Sequence, residues 1–222
     1  IKHILVMLGT SAILLTMIPL TSFGMQVFVR VNVDSDKGSM TLEIEPTDRI
    51  EDIKQKIADK NGIPTEDQIL IFAGKVLKNE NSLQDYSDQR GATIQLYVGR
   101  VLDISDGDIS ISETGYRVGN TMETAYDGQY VICGETTQNT IRITGKSHNI
   151  VLVSLNMRFS QSADLIKIDG GTVCVEQIGE NIIQATADGS GSAVKMSNAT
   201  ELRFGGTGSS ILVGGSNYHG GS

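Results

Sequence analysis

The sequence predicts a two-part chain: a small α+β domain over residues 25–100, then an all-β, right-handed parallel β-helix (solenoid) over residues 101–222. Three observations carry this. Alternating apolar and polar runs flank one stretch of helical periodicity in the first part. The composition then shifts after Arg100, with eighteen of the 25 glycines and none of the three prolines beyond it. Finally, four short motifs of the form apolar, basic, apolar, small-or-polar recur at a nearly fixed interval, as expected of stacked repeats.

The elements follow in order. MQVFVRV (25–31) and MTLEIE (40–45) alternate as two half-buried strands. Ile50, Ile53 and Ile57 recur at helical spacing, and Gly62-Ile63-Pro64 ends that helix. QILIFAG (68–74), KVL (75–77) and TIQLYV (93–98) supply further strands. One helix packed across a small sheet is the expected result. Beyond it, short β-rich runs are separated by Gly, Ser, Asn and Asp, the pattern of a β-sandwich or solenoid. The solenoid is favoured by Tyr116-Arg117-Val118-Gly119, Ile141-Arg142-Ile143-Thr144, Ile166-Lys167-Ile168-Asp169 and Val194-Lys195-Met196-Ser197, whose basic residues lie 25, 25 and 28 positions apart. Alternation turns the apolar pairs inward and stacks Arg117, Arg142, Lys167 and Lys195 outward at about 4.8 Å per rung, beside Thr144, Asp169 and Ser197.

Over residues 25–98 the runs TLE, KIxDK, GIP, LIFAGK and DY, with a lengthened first hairpin at VNVDSDKGS, resemble the ubiquitin family. The resemblance implies the ubiquitin-like β-grasp fold. It also marks departures. The family ends in Leu-Arg-Gly-Gly, whose carboxylate is conjugated to lysines, whereas this chain reads YVGRVLDIS and continues, so that chemistry is not expected of this segment. The family's recognition patch for protein partners maps onto Ile71 and Tyr97. Its bordering histidine is Gln95 here, a neighbouring arginine is Ile69, and Lys75 matches a lysine used for chain linkage. Ile71, Gln95, Tyr97 and Lys75 form the candidate protein-binding patch, with host ubiquitin-binding proteins as the partners implied. Asp88 stands where the family buries an isoleucine, a costly place for an unpaired carboxylate.

The second part resembles the repetitive β-helix "carbohydrate-binding domain" proteins of bacterial surfaces, through DISDGDISISETGYRVG, TIRITGKSHNIVLVSLNM and AVKMSNATELRFGGTGSSILVGG. The candidate carbohydrate-binding residues are Arg117, Arg142, Lys167, Lys195 and Asp169, a track suited to an acidic polysaccharide. The competing reading is a solvated face on which like charges are tolerated; the segment holds seven basic against thirteen acidic residues. Asp103, Asp106 and Asp108 cluster the hard oxygen ligands that calcium takes, although their spacing departs from an EF-hand and turn chemistry accounts for Asp equally well. No catalytic group is expected: His3, His148 and His219 offer no acid–base pair, and Cys174 in TVCVE has no activating neighbour in sequence. Cys133 and Cys174 form one disulfide or remain two thiols.

Lys2, the apolar residues 4–20 and Ser22-Phe23-Gly24 read as a secretion signal cleaved before Met25, against the alternative of an uncleaved anchor. This leaves no membrane span and a secreted or cell-surface protein. The net charge of −8 argues against a nucleic-acid partner. An initial Ile and a tail GGSNYHGGS without a capping element read as a piece of a longer protein, with an open coil prone to self-association. The expected function is a non-enzymatic surface protein that joins a non-conjugatable module to a carbohydrate-adhesion solenoid. A β-helix polysaccharide-degrading enzyme and a mimic of host ubiquitin are the alternatives.

Overall fold

The structure is a computed structural model that describes residues 25–32, 38–45, 47–86, 93–185, 191–198 and 201–214. The stretch expected to be a secretion signal, most of the first hairpin, Asp88 and the glycine-rich tail lie outside the described residues.

The first module is built from β1 (Met25–Asn32), β2 (Ser39–Ile44), helix α1 (Ile50–Asn61), β3 (Gln68–Phe72), β4 (Lys75–Val76) and β5 (Thr93–Val98). The strand order is β2-β1-β5-β3-β4, with a parallel β1–β5 pair at the centre. Helix α1 buries Ile50, Ile53 and Ile57 against Val27, Val29, Leu70 and Leu96. Its stop is conformational: Gly62 takes φ 77°, and its N–H reaches the carbonyl of Ala58. β3 and β4 are joined by Ala73 and Gly74, both at positive φ, as a two-residue hairpin loop requires.

The solenoid has two parallel ladders. One stacks β6 (Arg100–Asp103), β10 (Tyr130–Thr136), β12 (His148–Arg158), β14 (Thr172–Ile178) and β17 (Glu201–Gly206). The far half of β12 also carries β15 (Glu180–Gln184), which in turn carries β18 (Ser209–Val213). The second ladder stacks β7 (Ile109–Ile111), β11 (Ile141–Thr144), β13 (Ile166–Asp169) and β16 (Val194–Ser197). Between the ladders lies an aliphatic core that includes Ile109, Ile141, Ile150, Leu155, Ile168 and Val173. Among the described residues, the last coil leaves part of this core uncovered. Met196 and Phe204 face the same way as buried Ile168 and Val175, their register partners, yet are 43% and 48% exposed.

Three of the four expected rungs stack in the expected register: Arg142 opposite Lys167, and Lys167 opposite Lys195. The fourth is corrected. Tyr116-Arg117-Val118 lies on β8 (Gly115–Val118), which runs antiparallel to β7 and pairs with β9 (Thr124–Ala125). The strand that stacks below Ile141-Arg142-Ile143 is Ile109-Ser110-Ile111. An apolar-basic-apolar pattern sets which face is buried, not strand direction, and the turn at Ser112–Gly115 reverses the chain. A Cβ on Gly115 would sit 2.0 Å from the carbonyl oxygen of Thr124, so this close crossing needs glycine. The excursion serves as a cap: Tyr116, Tyr126 and Tyr130 pack edge to face at 5.4–6.3 Å over the first coil.

Asn181 holds the corner between β14 and β15. It is fully buried, accepts from the Leu155 N–H at 2.9 Å and donates to the carbonyls of Ile178 and Ser209. One side chain thus ties three successive coils, beside a bulge where β12 inserts a residue and Ser154 takes φ 46°. Asn181→Leu leaves a buried N–H and two carbonyls short of partners at about 1–3 kcal/mol per group. The expected outcome is a midpoint lowered in urea with an unchanged slope; a wild-type midpoint contradicts the corner's role.

Candidate functional site

On the outer face of the second ladder the basic residues form one row in the order Arg117, Ser110, Arg142, Lys167, Lys195. Arg117 joins it from the cap rather than from a coil, and Ser110 separates it from Arg142. Stacked like charges repel, and the relief comes from Asp164, which the sequence reading missed. Asp164 accepts from Lys195 Nζ at 3.0 Å and lies 3.5 Å from Lys167 Nζ. Burial works to raise its pKa, but the Lys195 hydrogen bond and the two lysine charges outweigh that and hold the carboxyl below its usual range. The signal was available, because Asp164 precedes Lys167 by one short turn. Arg142 makes no ion pair among the described residues. A second row two residues along carries Thr144, Asp169 and Ser197 in register. Asp169 accepts from Ser197 Oγ and from the amide of Asn198.

The aspartate cluster is corrected. The Asp103 carboxylate caps a turn, accepting from Ser105 N–H at 2.9 Å, while Asp108 accepts from Thr140 N–H at 2.6 Å. The two are spent on separate backbone amides, and Asp106 joins neither. Among the described residues no three Asp, Glu, His or Cys side chains converge on a point that a calcium ion could occupy. His148 is buried beside Tyr130 with its pKa lowered by burial, and its ring nitrogen pairs with the Thr144 carbonyl. The two cysteines are free thiols; burial pushes the Cys133 thiol up to about 12.

The expected protein-binding patch lies elsewhere than on an open surface. Ile71 and Tyr97 are each 1% exposed. With Ile69 they pack against Val131, Val151, Val153 and Ile178 on the outer face of the first solenoid ladder, flanked by Val76 and Cys133. Each aliphatic side chain so buried contributes about 1.5–3 kcal/mol. Polar contacts fix the register of the seam. The Tyr97 hydroxyl donates to Glu176 at 2.8 Å, and Ser154 Oγ donates to the Gly74 carbonyl at 2.7 Å. Burial, then the hydrogen bond to Glu176, pushes the Tyr97 phenol well above its ordinary range. Arg100 adds a third tether, pairing with Asp67 at 2.6 Å and lying 4.9 Å from the Tyr126 ring centroid. Gly99 is essential to this approach, since a Cβ there would lie 2.4 Å from the Gln129 carbonyl oxygen. Of the four patch residues, Lys75 is exposed and Gln95 is half-buried at the edge of the seam.

The signal for this docking was present but unread. YVIC in β10, IVLV in β12 and ILIF in β3 are continuous apolar runs where a strand with one wet face would alternate. Docking makes a prediction: Ile71→Glu places a carboxylate in the seam and separates the modules. Cys133, half-buried in the seam with its thiol pKa raised by burial, is expected to label slowly with iodoacetamide in the parent protein and faster in the folded variant. Unchanged Cys133 reactivity contradicts the docking.

Comparison with known proteins concerns the first module. The family model described as "Ubiquitin family" matches residues 27–100. The ubiquitin-like protein NEDD8 of Dictyostelium discoideum is 38% identical over 55 residues, covering 25% of this chain and 71% of that protein. The NEDD8-like protein RUB3 of Arabidopsis thaliana is 35% identical over 68 residues, 31% of this chain and 86% of that protein. The E3 ubiquitin-protein ligase UPL5 of Arabidopsis thaliana is 38% identical over 72 residues, 32% of this chain but 8% of that protein, so a similar segment also occurs inside a much longer chain.

Proposed function

Because this chain belongs to the ubiquitin family through residues 27–100, yet continues past that module into a solenoid, we propose that it is a non-enzymatic, exported protein of a bacterial surface. In this reading it binds acidic polysaccharide through the solenoid, and the ubiquitin-like module serves as a docked scaffold. The observation that carries the reading is the row Arg142, Lys167, Lys195, in register and exposed, beside the parallel row Thr144, Asp169, Ser197. Cations repeated at strand spacing match a polymer that carries carboxylates, and the adjacent hydroxyls and carboxylate offer partners for sugar hydroxyls. Lys2, the apolar stretch and Ser22-Phe23-Gly24 support export.

The alternatives are less well supported. Mimicry of ubiquitin toward host receptors calls for an accessible Ile71 and Tyr97, and both are buried in the seam. A lyase needs a basic group free to act beside a carboxylate in a cavity; Lys167 instead shares Asp164 with Lys195 on an open sheet face.

The test is co-sedimentation of the secreted chain, beginning at Met25, with insoluble acidic and neutral polysaccharides. The expected result is retention by the acidic ones only. Arg142→Ala with Lys167→Ala removes two charge-assisted contacts worth about 1.5–3 kcal/mol each, a loss of about a hundredfold or more in affinity. Equal retention of parent and variant, or no retention of the parent, overturns the reading.

A further inference from the structure

The two modules touch along the apolar seam and then diverge. Beside the seam they enclose an open cleft of about 850 Å³. One wall is the outer face of the ubiquitin-like sheet, with Arg30 and Asn32 on β1 and Gln95 on β5. The facing wall is the outer face of the first solenoid ladder, with Asn149, Cys174 and Arg203 in one register row. The floor can be followed along the adjacent row: Val131 and Val151 lie under the module, Glu176 holds the Tyr97 hydroxyl, and the next position is Gly205. The row passes from apolar to polar to no side chain at all, and there the cleft opens.

Gly205 has no backbone reason to be glycine. Its φ is not positive, and a Cβ there would meet nothing within 4 Å. A glycine inside a strand weakens it and often marks the close approach of something else. The lining carries two arginines against one carboxylate, and Glu201 outside it pairs with Arg203, so Arg30 is the lining cation with no ion pair among the described residues. Arg30 and Arg203 stand on opposite walls, while the carboxylate at its edge, Glu176, already accepts from Tyr97. Glu201 takes Nε and Nη2 of Arg203 at 2.9 and 3.0 Å, which fixes the orientation of the guanidinium. The remaining lining is rich in carboxamides: Asn32, Gln95, Gln129 and Asn149. Gln95 Oε1 is buried with no hydrogen-bond partner, an acceptor that an O–H donor would satisfy and a simple anion would not.

We infer that this inter-module cleft is a ligand site for a short acidic oligosaccharide of the uronic acid type. The two arginines meet the carboxylates, and the carboxamides meet the ring hydroxyls. Crevices between domains with a few convergent polar groups are the usual place for such ligands. None of these residues belongs to the basic row on the second ladder, so the inference stands independently of that row.

Cys174 reports occupancy, because its thiol is half-buried on the cleft wall while Cys133 sits in the seam. The experiment is iodoacetamide labelling of the whole chain, read at each cysteine by mass spectrometry, with trigalacturonate as the probe. At about ten times the dissociation constant, labelling of Cys174 slows about tenfold. Arg142→Ala with Lys167→Ala keeps the protection. Gly205→Trp, which fills the cleft, and Arg30→Gln both lose it while Cys133 labels no faster than in the parent, so loss of fold is distinguished from loss of the site. Four outcomes overturn the inference: no protection at millimolar trigalacturonate, protection that disappears in the Arg142/Lys167 variant, equal protection by sulfate, or stronger protection by hexaglutamate.

Discussion

The arrangement of this protein depends on one contact, the burial of the helix-distant face of a ubiquitin-like sheet against the outer valines of a parallel β-solenoid. Each surface alone would leave a band of aliphatic side chains in water, and such patches on soluble proteins mark interaction sites. Here each satisfies the other within one chain. The seam then fixes everything around it. Gly99 allows β5 to pass directly into β6, Arg100 ties the crossing to Asp67 and Tyr126, and Tyr97 reaches across to Glu176.

This contact changes what family membership means for the chain. The positions that would meet partners, Ile71 and Tyr97, are consumed by the chain's own second half. What stays open is the rest of the same sheet face, where Arg30 and Asn32 line the cleft opposite the solenoid. The module therefore acts through what it covers and what it leaves uncovered. It shields Val131, Val151 and Val153, and it supplies one wall of a polar cleft.

Much of this was legible in the residues. The β-grasp order follows from the alternation of β1 and β2, the Ile50-Ile53-Ile57 stripe and the Gly62 stop, each of which is local. The repeats at Arg142, Lys167 and Lys195 are legible because an inward-outward-inward code survives stacking. Arg117 misled because that code is silent on strand direction; a glycine turn at Gly115 reversed the chain. Asp103, Asp106 and Asp108 misled because a cluster in sequence says nothing of which backbone amides will claim each carboxylate. Asn181 could not be foreseen, since its three partners lie on three different coils. The docking could have been inferred from strands apolar on both faces, but not the identity of the surface that covers them.

The most direct test of this account is methyl NMR on the intact chain with labelled Ile and Val. The docked arrangement predicts nuclear Overhauser contacts from the methyls of Ile69 and Ile71 to those of Val131, Val151 and Val153, which belong to one buried cluster. Absence of these contacts, with the Ile71 methyl accessible to a soluble relaxation agent, would mean that the two modules are merely tethered, and the central contact would be refuted.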